Sequence, residues 1–233
     1  MAVKGLKVLY EDNHIIIVNK FTSDLVQKDQ TGDISLDDKL KQYLKEKYNK
    51  PGNVFLGIPH RLDRPVSGAV IYAKTSKALT RLTAIFKNRE VEKIYYAIVK
   101  TKPPKVEEKL IHHLVRNIKQ NKSYAFNSSR KNSKEAILNY KLIAGDGKYY
   151  LLEINLMTGR HHQIRCQLAK IGCSIKGDKK YGYPKANEDK GICLHAGKIE
   201  FIHPISGEQI NIVAPAPKNG SWLRFKKVIE ISD

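Results

Sequence analysis

Cysteine is sparse and unpatterned. The 233 residues hold three, Cys166, Cys173 and Cys193. An odd count without C-x-x-C spacing argues against both a disulfide framework and a zinc site, so no metal is expected. Acidic residues are also in short supply: 23 Asp and Glu stand against 42 Lys and Arg, a formal net charge of +19. Such an excess is what a polyphosphate backbone attracts. An anionic membrane surface is the rival partner. However, no apolar stretch is long enough to span a bilayer, and no basic amphipathic anchor is visible. The opening residues from Met1 to Tyr10 contain no signal-peptide apolar core, so a cytoplasmic protein is expected. The turn Gly145-Asp146-Gly147 lacks the length and the Lys-Ser/Thr ending of a P-loop, which removes nucleoside triphosphate binding. Internal repeats, linkers and low-complexity tails are missing too.

What is present is globular: 41% hydrophobic and 28% charged residues, in a length that suits one large domain or two closely packed subdomains. Leu6 to Tyr10 and Ile15 to Asn19 read as strands around the polar turn Glu11-Asp12-Asn13-His14. After a polar loop over 21–34, Ser35 with Asp38 resembles a capping box. Leu36, Leu40, Tyr43, Leu44 and Tyr48 then keep helical spacing until Asn49-Lys50-Pro51-Gly52. Val54 to Ile58 reads as a short strand, and Ala69 to Ala73 as a buried one. Ser76 is placed as the cap of a second helix, with Leu79, Leu82, Ile85 and Phe86 inward. Further strands are expected over Glu92 to Val99, Leu110 to Val115, Ser123 to Phe126, Ala136 to Ile143, Tyr149 to Leu156, Cys193 to Ala196, Ile199 to Phe201 and Gln209 to Val213. The stretch 116–134 reads as an exposed basic hairpin arm. A helix is expected over Gln163 to Lys170, and another carries Trp222, Phe225, Val228 and Ile229. Many strands, few helices and no regular βα alternation point to α+β with a mostly antiparallel sheet.

Three stretches carry charge where their flanks carry core: 60–68, 92–97 and 157–165. In the first, His60-Arg61-Leu62-Asp63-Arg64-Pro65-Val66-Ser67-Gly68, one carboxylate lies between two guanidiniums, which favour its ionised form. Pro65 fixes a φ, and Gly68 permits backbone shapes that other residues avoid. A solvated surface turn has the same composition. A reactive carboxylate needs rigidity and a fixed cation nearby, roles that Asp63 and Arg165 can fill. Tyr95 offers an aromatic face for a base and a hydroxyl, although a sheet tyrosine looks the same.

Taken together, these stretches resemble the RluA-type pseudouridine synthases. The family's H-R-L-D-R-x-T/V-S-G matches His60 to Gly68, its E-K-x-Y-x-A matches Glu92 to Ala97, and its T-G-R-x-H-Q-I-R matches Thr158 to Arg165. Gly177 to Gly182 matches G-D-x-x-Y-G, and Leu194-His195-Ala196 with Phe201-Ile202-His203-Pro204 matches the terminal L-H-A and F-x-H-P. The motifs run in the family's order over nearly the whole chain. Departures are Val66 for a common Thr, Asn19-Lys20-Phe21-Thr22-Ser23 for N-K-P-x-G, His161 for a common Thr, and Cys166-Gln167 for V-H. With only a few residues before the first strand, the small S4-type RNA-binding domain of many relatives is not expected.

The resemblance implies the pseudouridine synthase fold: a large, mostly antiparallel mixed sheet flanked by a few helices, with a central basic catalytic cleft. Residues 1–233 are expected to form one catalytic domain, acting as a monomer. It further implies an isomerase that converts a uridine of structured RNA, 23S ribosomal or transfer RNA, to pseudouridine without metal or cofactor. Asp63 would be the catalytic carboxylate, Arg165 its ion-pair partner, and Tyr95 the ring that stacks on uracil and assists proton movement. Arg61, Arg64, Lys93, Arg160, His162 and Leu194 would bind substrate. Arg61 would fill the space left by a flipped base, with structural pairing as its alternative, and Leu194 would wall the base pocket. Two other classes stay open: a non-catalytic RNA-binding ribosome-assembly factor of the same fold, and a glycosidase of free nucleosides, which has no use for a charge of +19.

Overall fold

Branched and aromatic runs bounded by polar turns build one ten-stranded sheet. The computed structural model describes residues 5–30 and 32–232. Residues 1–4 of the opening stretch and Thr31 of the 21–34 loop lie outside the described residues. The strands are β1 (Val8–Glu11), β2 (Ile15–Lys20), β3 (Ser67–Ala73), β4 (Glu92–Val99), β5 (Glu107–Asn117), β6 (Lys122–Phe126), β7 (Lys134–Gly145), β8 (Tyr150–Leu156), β9 (Leu194–Ile202) and β10 (Gln209–Val213). Their order is β1-β2-β3-β9-β4-β8-β7-β5-β6, with β10 also on β9. Every pairing is antiparallel except β3 with β9, so the class is α+β with a mixed sheet.

The two halves of the sheet are covered differently. Every residue of β2 and β3 is buried, because helices pack on both faces there. Ile16, Val18, Val70 and Tyr72 face Leu36, Leu40 and Leu44 of α1 (Leu36–Lys47). Ile15, Ile17, Ala69 and Ile71 face Ala78 and Leu82 of α2 (Ser76–Asn88). Each fully buried leucine contributes about 1.5–3 kcal/mol. In β5 and β7 burial alternates, since α3 (Gln163–Lys170) covers only one face. The last helix, α4 (Lys226–Ser232), follows a 3-10 turn, Gly220–Phe225, that buries Trp222 and Phe225.

Several expected boundaries move. Val54 to Ile58 is not a ladder strand; its one bridge joins Gly57 to Ala73. Thr75, not Ser76, caps α2, its hydroxyl accepting the Ala78 N–H at 3.2 Å. The two strands expected over 193–196 and 199–201 are the single strand β9, bulged at Gly197. The 116–134 arm does contain a hairpin, with the end of β5 pairing antiparallel with β6.

Candidate active site

The stretch 60–68 enters β3 where that strand crosses β9, and the crossing is close. A Cβ on Gly68 (φ 120°) would lie 2.3 Å from the Ala196 carbonyl oxygen, so only glycine fits. The crossing is pinned by the Ser67 hydroxyl, 2.8 Å from His195 Nδ1, while His195 Nε2 lies 2.7 Å from the Ala214 carbonyl. Burial draws the pKa of His195 down to about 4, which keeps the ring neutral in this role. On the other side of β9, the register shifts between Ile94 and Tyr95: Ile94 pairs with Lys198 but Tyr95 with Ala196. The extra residue is Gly197, so the bulge bends β9 opposite Tyr95. Beneath the loop, the ammonium of Lys20 donates to the carbonyls of Phe21 (3.0 Å), Arg64 (2.9 Å) and Val66 (2.6 Å).

Asp63 is the exposed end of a buried ionic chain. Its side chain is 30% exposed, that of Arg165 is 6% and that of Asp178 is 1%. Arg165 Nη1 donates to Asp63 Oδ2 at 2.9 Å, while its Nε and Nη2 grip Asp178 at 2.7 and 2.9 Å. One planar fork thus fixes two carboxylates, which a lysine cannot do. Burial opposes a charge on Arg165, but Asp178 and then Asp63 overcome it and push its pKa above the ordinary value. Its guanidinium lies 5.1 Å from the Tyr181 ring centroid. His162 Nε2 is the next neighbour of Asp63, 3.5 Å from Oδ2. Oδ1 accepts no hydrogen bond among the described residues. Tyr95 is buried and close enough to feel this charge: burial first, then Asp63, raises its hydroxyl pKa. A part-exposed carboxylate with one oxygen clamped and one open can act as nucleophile or base.

With this geometry in hand, comparison with known proteins is decisive. The sequence profile of a family described as RNA pseudouridylate synthase matches residues 14–170. The chain belongs to this family. It is 32% identical to ribosomal large subunit pseudouridine synthase D of Zymomonas mobilis over 96% of this chain and 73% of that one. To tRNA pseudouridine synthase C of Vibrio parahaemolyticus it is 29% identical, over 97% and 95%. An uncharacterized RNA pseudouridine synthase of Synechocystis is 32% identical, and the chain spans 66% of its length. Among solved structures, human RNA pseudouridylate synthase domain containing 4 shares the fold with a TM-score of 0.76 at 22% identity, covering 91% of this chain and 89% of that one. The human domain containing 1 gives 0.72 at 23%, covering 99% and 96%.

In this pseudouridine synthase, the residues expected to meet substrate divide by environment. Arg61 is exposed and makes no ion pair among the described residues. Arg64 is engaged: it pairs with Asp33 at 2.7 Å and donates to the Ser23 carbonyl at 3.2 Å. Arg160 donates to the Glu135 carbonyl at 2.9 Å. Lys93 is half-buried over the Phe86 ring, and burial and then Arg89 draw its pKa down. Leu194 is buried in the same core cluster as Tyr95. His162 is buried beside Asp63. Sequence reasoning gave no role to Lys20, Asp178 or Tyr181. For the last two, the G-D-x-x-Y-G match was the available signal, an acid and a phenol at fixed spacing. The departure at Gln167 is structural: its amide donates to the carbonyls of Leu110 (3.3 Å) and Ala136 (3.1 Å), joining α3 to β5 and β7.

Proposed function

We propose that the protein isomerises uridine to pseudouridine in ribosomal or transfer RNA, with Asp63 as the reacting carboxylate. The observation that carries this reading is the Asp63–Arg165–Asp178 chain, a buried clamp that leaves one carboxylate oxygen open, with Tyr95 near enough to feel the charge. In the reaction the bond from C1′ to N1 breaks, the uracil turns over, C1′ joins C5, and C5 gives up a proton while N1 gains one, so the product is an isomer. Oδ1 is available to attack C1′ or to take the 2′ proton. Arg165 holds Oδ2 of the carboxylate in place, and the Tyr95 ring supports the uracil. The names of the relatives, a ribosomal large subunit synthase and a transfer RNA synthase, supply the substrate class. The net charge of +19 suits a polyanion and not a free nucleoside. The ten-stranded sheet acts as one catalytic unit and as a monomer.

Asp63→Asn tests the assignment, because it keeps the shape and removes the charge. Pseudouridine formation on total ribosomal and transfer RNA should vanish, while RNA affinity stays within about tenfold, roughly 1.4 kcal/mol. Turnover above about a hundredth of the unsubstituted rate, some 2.7 kcal/mol of barrier, would remove Asp63 from the reaction.

A further inference from the structure

His162 is where the catalytic loop, α3 and the β5–β6 hairpin meet. Its backbone has φ 53°, a left-handed conformation uncommon for a residue with a side chain. The ring is buried and stacks 3.8 Å from that of His161. Nδ1 lies 3.0 Å from the Tyr181 hydroxyl oxygen, and Nε2 lies 3.5 Å from Asp63 Oδ2.

Which nitrogen carries the hydrogen follows from Tyr181. Its oxygen accepts the Ser123 backbone N–H at 2.9 Å. Burial pushes the hydroxyl pKa up, so the phenol keeps its proton. Among the described residues that proton has one acceptor within hydrogen-bond distance, His162 Nδ1. Burial also draws the pKa of His162 down to about 3, although Asp63 pulls the other way, so at neutral pH the ring holds a single N–H. With Nδ1 accepting, that N–H sits at Nε2 and faces Oδ2. The other groups that feel Asp63 are Lys20 from β2, Tyr95 from β4, His161 from the same loop and Arg165 from α3. Of these, Arg165 alone donates to the carboxylate.

We propose that His162, set as the Nε2–H tautomer by the Tyr181 hydroxyl, is a positioning residue that shares Oδ2 of Asp63 with Arg165 and leaves Oδ1 to act on the ribose. Two donors on one oxygen block rotation of the carboxylate and fix which oxygen faces the sugar. At 3.5 Å the Nε2–Oδ2 contact is long for a formed hydrogen bond, and catalytic contacts of this length commonly shorten in the complex with substrate. The proposal rests on the reading that Asp63 reacts.

Substitutions separate positioning from packing. A glutamine amide reaches the place of Nε2, and an asparagine amide reaches the place of Nδ1. His162→Gln should therefore keep the single-turnover rate at saturating RNA within about threefold, while His162→Asn and Tyr181→Phe lose about tenfold or more. RNA affinity should not change. A purely structural role, filling the space beside Tyr181, reverses the order: asparagine rescues and glutamine does not. That order, or any other, overturns the proposal. Nitrogen-15 NMR of the unsubstituted protein needs no variant to fold. It should find His162 as the neutral Nε2–H tautomer at neutral pH; the Nδ1–H tautomer or an imidazolium overturns the proposal. A protein that isomerises no RNA uridine overturns the assigned function instead, and the tautomer still decides this one.

Discussion

Two cations buried around Asp63 show how single residues set the site. Arg165 has three of its donors placed on two carboxylates, so one side chain anchors Oδ2 of Asp63 from within the core. Lys20 acts on the backbone instead. Its ammonium gathers the carbonyls of Arg64 and Val66, just after Asp63, together with that of Phe21. Burial draws its pKa down to about 7, against the pull of Asp24 and Asp63. Lys20→Met should leave the carbonyls without a donor and loosen the loop. The Val66 amide, which donates to the Asp63 carbonyl at 3.0 Å, should then exchange faster with solvent. Turnover should fall about tenfold or more with RNA affinity kept. The sign with pH is also set. The folded pKa lies below the ordinary 10.5, so between about 7 and 10.5 the unfolded chain binds the extra proton, and stability from this group rises with pH. Urea unfolding across that range should show the rise in the parent protein and less of it in Lys20→Met. Equal profiles and unchanged amide exchange would mean that Lys20 is a bystander.

At the scale of elements, α1 is bolted to the sheet through Glu11. This carboxylate at the end of β1 accepts from Tyr43, Lys47 and Tyr48 of the helix end and from Lys74 after β3. Burial alone would raise its pKa, but Lys47, Lys74, Tyr48 and Tyr43 overcome that and hold it at about 2. Its contribution is therefore complete above the ordinary 4.5 and is lost as pH falls through about 2. Glu11→Gln should lower stability at neutral pH and flatten the acid limb of a melting-temperature profile; an unchanged limb would place the acid sensitivity elsewhere. Nothing in the local pattern announced this anchor, because its partners lie on other segments. What periodicity and capping determine was legible. The Ser35–Asp38 box is real, with the Asp38 carboxylate accepting the Ser35 N–H at 3.3 Å, and α3 spans Gln163–Lys170 as read. Local reading failed where tertiary contact decides. Gly197 looks like a break between two strands, yet it is a bulge in β9 that makes room for the Tyr96 ring, 2.6 Å from where a Cβ would stand. Val54 to Ile58 has the residues of a strand, but it finds one bridge and no ladder. At the site, Asp63, Tyr95 and Arg165 were legible through their motifs, whereas Lys20 and Asp178 gain meaning only from the fold around them.

For the whole molecule, the net charge of +19 is a statement about affinity, and the environment of each cation decides which ones can answer to RNA. Arg64 and Arg160 are tied to Asp33 and to the Glu135 carbonyl, so part of the basic surface is already committed to the fold. Arg61 is exposed, flanks Asp63 and is tied to no carboxylate among the described residues. Lys119, in the turn between β5 and β6, is exposed and further from the site in sequence. The two should therefore respond differently. RNA affinity should fall steeply with salt, log K against log salt sloping by about −0.7 for each single-strand phosphate neutralised, or −0.9 for duplex. Lys119→Ala should weaken binding modestly and reduce that slope by about one contact, with turnover at saturating RNA unchanged. Arg61→Ala should also slow turnover at saturation, because a side chain that fills the space of an extruded base offsets part of the few kcal/mol that extrusion costs. The cost is smaller when the target uridine is already unpaired, so the Arg61→Ala defect should shrink on a pre-opened substrate. Single-turnover rates on a stem-loop and on its opened version measure this directly. Equal defects on both would leave Arg61 as a phosphate contact like Lys119, and base extrusion would then depend on other groups of the cleft.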